Sequence, residues 1–136
     1  MTWDDRQAAD GGGERPEPAG SGSDGVRLSL RLTLDGGVRL GPGKIRLLEA
    51  VAGTGSISAA ARAMAMSYRR AWLLINSLNE ALESPVVESR SGGRKGGGAL
   101  VTARGRELIA LYHSMERKAR RAVDEELHAL GRTGRR

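Results

Sequence analysis

The sequence predicts a mostly helical fold with a small β component, and three observations carry that prediction. Residues 26–34 alternate strictly, with Val26, Leu28, Leu30, Leu32 and Leu34 separated by Arg27, Ser29, Arg31 and Thr33. That is the period of a half-buried strand. Three stretches with apolar residues at helical spacing follow, divided by short breaks that carry glycine, serine or proline. Finally, Val86 to Arg90 and Leu100 to Thr102 read as two short strands around a glycine-rich tip, followed by a long helical stretch.

Residues 1–25 run through GGGERPEPAGSGSDG with hardly an aliphatic side chain, so they cannot bury enough apolar area to offset the entropy of ordering. They read as a disordered acidic, glycine-rich tail. After the strand, Asp35-Gly36-Gly37 turns the chain, and Gly41-Pro42 opens a first helix over about 42–52, where proline is tolerated because its N–H would be unpaired anyway. Ile45, Leu48 and Val51 or Ala52 share one face of it, and Gly53 is expected as its left-handed cap. A short second helix begins at Ser56 or Ser58, either of which can cap it. Ala59, Ala60 and Ala61 are small enough to admit a neighbouring helix. Met64-Ala65-Met66 makes the turn, and Ser67 caps a third helix that runs to about Ser84, where Pro85 stops it. Wound at about 100° per residue, Tyr68, Ala71, Trp72, Ile75, Leu78 and Leu82 form its core stripe. Arg69, Arg70, Leu73, Asn76, Ser77 and Glu80 face outward. The last helix starts at Thr102 as cap and continues to about Leu130, with Leu108, Tyr112, Met115, Ala119 and Ala122 recurring at alternating steps of four and three.

The order strand, helix, short helix, turn, longer helix, strand, glycine-rich tip, strand is that of a winged helix-turn-helix with an N-terminal strand and a long C-terminal helix. The expected division is a tail over 1–25, the winged domain over 26–102, a dimerisation helix over 103–130 and a basic tail over 131–136.

Composition narrows the function classes. At 136 residues the chain holds one small core. Cysteine is absent, which removes disulfides and thiolate chemistry and suits a reducing cytoplasm. No window is apolar enough to span a membrane, and Asp4, Asp5 and Asp10 stand where a secretory signal would be basic and then apolar. A cytoplasmic protein without a membrane partner is expected. Residues 1–25 hold six acids against two arginines, which leaves 20 basic and 10 acidic residues in the body. Such a body suits an anionic partner. Arginine makes up 19 of the 22 basic residues and phenylalanine is absent, so part of the excess is also what a biased genome would produce.

The candidate DNA-binding residues are Ser56 and Ser58 at the start of the second helix, Ser67, Tyr68, Arg69 and Arg70 at the start of the third, Asn76 two turns in, and Arg94 and Lys95 in the glycine-rich tip. Arginine is the usual bidentate reader of guanine, a helix N-terminus favours phosphate, and asparagine pairs with adenine. Against this, a capped, solvated helix start and an exposed asparagine need no ligand, and Tyr68 could pack beside Trp72, itself expected in the core. The tip does not complete the phosphate-binding GxxxxGK(S/T) pattern, and a strand follows where that loop would open a helix. His113 and His128 lie 15 positions apart with no second ligand pair, and no serine, histidine and acid set has a loop context for catalysis. No catalytic residue, metal site or cofactor is therefore assigned. Leu108, Tyr112, Met115, Ala119 and Ala122 are the expected dimer interface.

The run Ser56-Ile57-Ser58-Ala59-Ala60-Ala61, the run Met66-Ser67-Tyr68-Arg69-Arg70-Ala71-Trp72, then Asn79, and the wing Gly92-Gly93-Arg94-Lys95-Gly96-Gly97-Gly98-Ala99 with Leu100-Val101-Thr102 closely resemble the N-terminal domain of the ModE family of bacterial molybdate-responsive regulators. The resemblance covers roughly residues 26–128, and more distantly the chain is similar to the DNA-binding half of LysR-type regulators. It implies a winged-helix homodimer that reads a palindromic operator in double-stranded DNA, with the long helix at or near the dimer interface. The family's molybdate-binding regions follow the winged helix, and here the sequence ends at Arg136, so the signal is expected from an effector-binding partner protein or from abundance. The competing reading is an interaction module that pairs with a full-length regulator through its last helix.

Overall fold

The computed structural model describes residues 25–90 and 98–134. The chain enters through β1 (Leu32–Thr33), turns in a short 3-10 segment over Asp35–Gly37 and returns as β2 (Arg39–Leu40), antiparallel with Leu32 opposite Leu40. Then come α1 (Pro42–Thr54), α2 (Ile57–Ala63) and α3 (Tyr68–Ala81). A hairpin of β3 (Val87–Arg90) and β4 (Gly98–Val101) follows, with Val87 opposite Val101. The chain ends in α4 (Ala103–Ala122) and α5 (Asp124–Gly134). The winged helix-turn-helix order is therefore present.

The core is built around α1, which touches α2, α3, α4, β2 and β4. Ile45, Leu47, Leu48 and Val51 are at most 1% exposed and meet Ala60 and Ala61 of α2 and Ala71, Leu74, Ile75 and Leu78 of α3. The alanines of α2 do what their size suggests, since a larger side chain there would hold the helices apart. Val86, Val87, Ala99 and Val101 close the core from the hairpin side, and Leu108 and Tyr112 close it from α4. Burying each of the larger aliphatic side chains contributes about 1.5–3 kcal/mol.

Thr102 joins hairpin to helix. Its N–H donates to the Val86 carbonyl at 3.0 Å, its hydroxyl donates to the Pro85 carbonyl at 2.7 Å, and its Oγ1 accepts from the Gly105 N–H at 3.0 Å as the cap of α4. Gly105 is buried so close to the hairpin that a Cβ there would run into the Val86 carbonyl and the Val101 side chain. These contacts place the wing's root and the long helix as one unit.

Four expectations change. The alternation of residues 26–34 does separate half-buried from exposed side chains, but only Leu32–Thr33 form a ladder, because the partner strand ends where Pro42 begins a helix. Thr54 extends α1 by donating its hydroxyl to the Ala50 carbonyl at 2.7 Å, so Gly53 is helical and Gly55, at φ 75°, is the left-handed cap. The core stripe of α3 is turned toward Leu74, leaving Tyr68 and Trp72 at 53% and 44% exposure, and α3 ends at Ala81 with Leu82 extended, short of Ser84. The expected single last helix breaks at Val123, whose N–H is shared between the carbonyls of Ala119 and Arg120. Asp124, Glu125 and Glu126 then favour a fresh helix start, since acidic side chains stabilise an N-terminal turn.

Candidate nucleic-acid interface

The helix-turn-helix is set by two serine caps and one tight turn. Ser56 Oγ accepts from the Ala59 N–H at 3.0 Å to start α2, and Ser67 Oγ accepts from the Arg70 N–H at 3.1 Å to start α3. Between them Ala65 takes φ 58°, and the Met66 N–H closes the turn on the Ala61 carbonyl at 2.9 Å. Both hydroxyls accept through oxygen and keep their hydrogens for an outside acceptor such as a phosphate.

Of the residues expected at DNA, the structure brings Ser67, Tyr68, Arg69, Arg70 and Asn76 together along the first part of α3. Ser67, Tyr68 and Arg69 are exposed, whereas Arg70 is half-buried. One Arg70 guanidinium nitrogen is wholly covered, so that arginine is partly committed to the fold. Asn76 donates to Glu80 Oε2 at 3.2 Å one turn on, which orients its amide and ties up one of its donors. Ser58 is exposed on α2 and Ser56 half-buried. Arg94 and Lys95 lie outside the described residues.

Asn79 has a role that the sequence reading did not assign, although it belonged to the family-like run. Its Oδ1 accepts from the Val86 N–H at 2.7 Å and the Val87 N–H at 3.4 Å, and its Nδ2 donates to the Val87 carbonyl at 3.1 Å. The side chain thus pairs with the start of β3 as a neighbouring strand would, fixing the wing's root to α3. From the other side, the Ala99 N–H donates to the Gly55 carbonyl at 2.9 Å. The signal in the sequence was an asparagine close to a pair of valines after a helix stop; its partner could not be read because the pairing skips the end of the helix and the irregular chain from Leu82 to Pro85.

The expected dimer residues separate into two groups. Leu108 and Tyr112 are 7% and 1% exposed and belong to the chain's own core, with the Tyr112 hydroxyl donating to the Leu30 carbonyl at 2.7 Å. Met115 and Ala122 are exposed and Ala119 is half-buried, and Leu111, which flanks that spacing, is 47% exposed on the same side as Met115. Beside them His113 ties α4 to α1. Its Nε2 lies 2.8 Å from Glu49 and its Nδ1 2.9 Å from Glu116. Burial by itself would lower the pKa of this ring, but the hydrogen bonds and charges of Glu49 and Glu116 outweigh it and raise the value above that of an ordinary histidine.

Residues 43–106 match the family model described as bacterial regulatory helix-turn-helix protein, lysR family. The chain is 44% identical over 98 residues to the molybdenum-pterin-binding protein MopB of Rhodobacter capsulatus, covering 71% of this chain and 36% of that protein. It is 39% identical over 101 residues to the molybdenum transport protein ModE of Azotobacter vinelandii, covering 73% and 37% respectively. Against the DNA-binding transcriptional dual regulator ModE of Escherichia coli (strain K12), identity is 39% over 99 residues, or 73% of this chain and 38% of that one. The chain thus spans little more than a third of the length of these relatives. The similarity over that third includes the helix-turn-helix, as the family-like runs of sequence had implied.

Proposed function

Starting from a LysR-type helix-turn-helix that is similar in sequence to ModE regulators, we propose that this chain is a sequence-specific DNA-binding transcriptional regulator. One observation supports this above the others. The first turns of α3 carry a serine cap, an exposed Arg69 and an exposed Tyr68 on a helix whose opposite side is sealed in the core. A helix held in this way offers its N-terminal residues to base edges in a major groove. Arg94 and Lys95 then serve as the wing's contacts to backbone or minor groove, and Asn79 keeps the wing at a set distance from the recognition helix.

The regulator acts as a homodimer on half-sites about one helical turn apart. Its seam is placed on Leu111, Met115, Ala119 and Ala122, with Leu108 and Tyr112 supporting the helix from beneath. The names of the relatives direct the search for target genes to molybdenum handling, with the effector bound by a partner protein. The test is selection from a random DNA pool with the full chain. Recovery of a two-fold motif is expected, and no motif above background would overturn the reading. Arg69→Ala should lose about 1–3 kcal/mol and relax one position of the motif, whereas Lys95→Ala should weaken all sites alike and flatten the salt dependence.

A further inference from the structure

Two large aromatic side chains at the start of α3 stay about half exposed. The core of that helix is complete without them: Ala71, Leu74, Ile75 and Leu78 are all at most 4% exposed, while Tyr68 is 53% and Trp72 44% exposed. Aromatic rings contribute more apolar area than other side chains, so leaving two of them in water forgoes a large burial term. The other exposed large apolar residues among the described ones, Leu111, Met115 and Leu130, belong to α4 and α5 and form a separate feature.

Their placement narrows what they meet. Tyr68 and Trp72 are one turn apart, and Asn79 continues the same line along the helix at i+11. Since Asn79 is bonded to β3, the aromatic line lies on the wing side of α3, next to the outward line of Arg69 and Asn76. An apolar strip flanked by an exposed arginine at a capped helix start suits a surface that is anionic yet locally apolar. Duplex DNA presents one such apolar group in the major groove, the 5-methyl of thymine. One helical turn of about 5.4 Å matches one to two base steps, so the two rings can each meet a different base pair.

We infer that Tyr68 and Trp72 are specificity-determining residues that read thymine methyl groups at two neighbouring positions of each half-site. The inference rests on the DNA-binding reading above and adds to it an apolar component of recognition.

The test uses the full chain and the motif recovered by selection. Each thymine is replaced singly by uracil, which removes the methyl group and leaves every hydrogen-bonding edge intact. Affinity should fall about three- to fivefold at two positions per half-site, the range expected for one buried methyl. Trp72→Ala should abolish the penalty at one of those positions and Tyr68→Ala at the other, with the rest of the motif preserved and thermal unfolding little changed. Trp72→Phe should retain its penalty. Uracil-insensitive binding, a motif without thymine there, penalties that persist in both alanine variants, or a change of oligomeric state in Trp72→Ala would each overturn this inference while leaving DNA reading in place. Absence of any motif would overturn both.

Discussion

Two polar side chains settle how the pieces of this small domain meet. Asn79 supplies both a donor and an acceptor to the start of β3, and removing it leaves the backbone of buried Val86 and Val87 without that partner. Asn79→Ala should therefore destabilise the fold by about 1–3 kcal/mol in denaturant titration, and an unchanged midpoint would contradict the role given to it. His113 makes the connection between α1 and α4 sensitive to pH. A neutral imidazole has one donor, so contacts from both ring nitrogens to carboxylates are satisfied together only by the imidazolium. Because the folded-state value is raised, the stabilisation is complete below about 6.5 and is lost as the pH climbs through the raised value. The melting temperature should thus drop between mildly acidic and mildly alkaline buffer by more in the native chain than in His113→Gln. The groups are partly exposed to solvent, so the difference is small and shrinks further in salt.

At the scale of the elements, close approach decides more than propensity does. The wing and the long helix meet at Gly105, where a side chain has no room. Gly105→Ala would normally favour a helix by about 0.5–1 kcal/mol, but here the methyl must push backbone apart. We expect a net loss of about 1–3 kcal/mol, seen as a lower thermal midpoint, and a stabilised variant would show that the hairpin yields easily. The caps were legible beforehand, because Ser67 and Thr102 precede helical periodicity in the manner that orphan N–H groups demand. The end of α1 was not. Gly53 and Gly55 are equally suited to a left-handed cap, and the Thr54 hydroxyl bond to Ala50 carried the helix past the first of them.

For the molecule as a whole, the question is which apolar surface remains after the core is closed. Tyr112 is buried in the chain's own core, so a charged residue there would unfold the domain and would say nothing about pairing. Met115 and Leu111 are the informative positions. Leu111→Glu combined with Met115→Lys should shift sedimentation toward a monomer and weaken operator binding, while thermal unfolding at low concentration stays near that of the native chain. A variant that still sediments as the native chain does would move the seam elsewhere. Charge belongs to this scale too: the basic body and acidic first 25 residues are a property of the whole sequence and set its response to salt.

Local chemistry written along the chain was enough for the order of elements, the serine caps and the turn at Met64-Ala65-Met66, since each depends on neighbours within a few residues. Face assignment on α3 needed more. Tyr68, Ala71, Trp72, Leu74, Ile75 and Leu78 all satisfy a broad helical stripe, and the packing of α1 and α2 against α3 chose Leu74 over the two aromatics. The same holds for Leu108 and Tyr112, whose heptad-like spacing fits a partner helix as well as it fits α1 and β4. Periodicity records that a face is apolar, whereas which neighbour covers it depends on contacts between residues far apart in sequence, such as Tyr112 with Leu30.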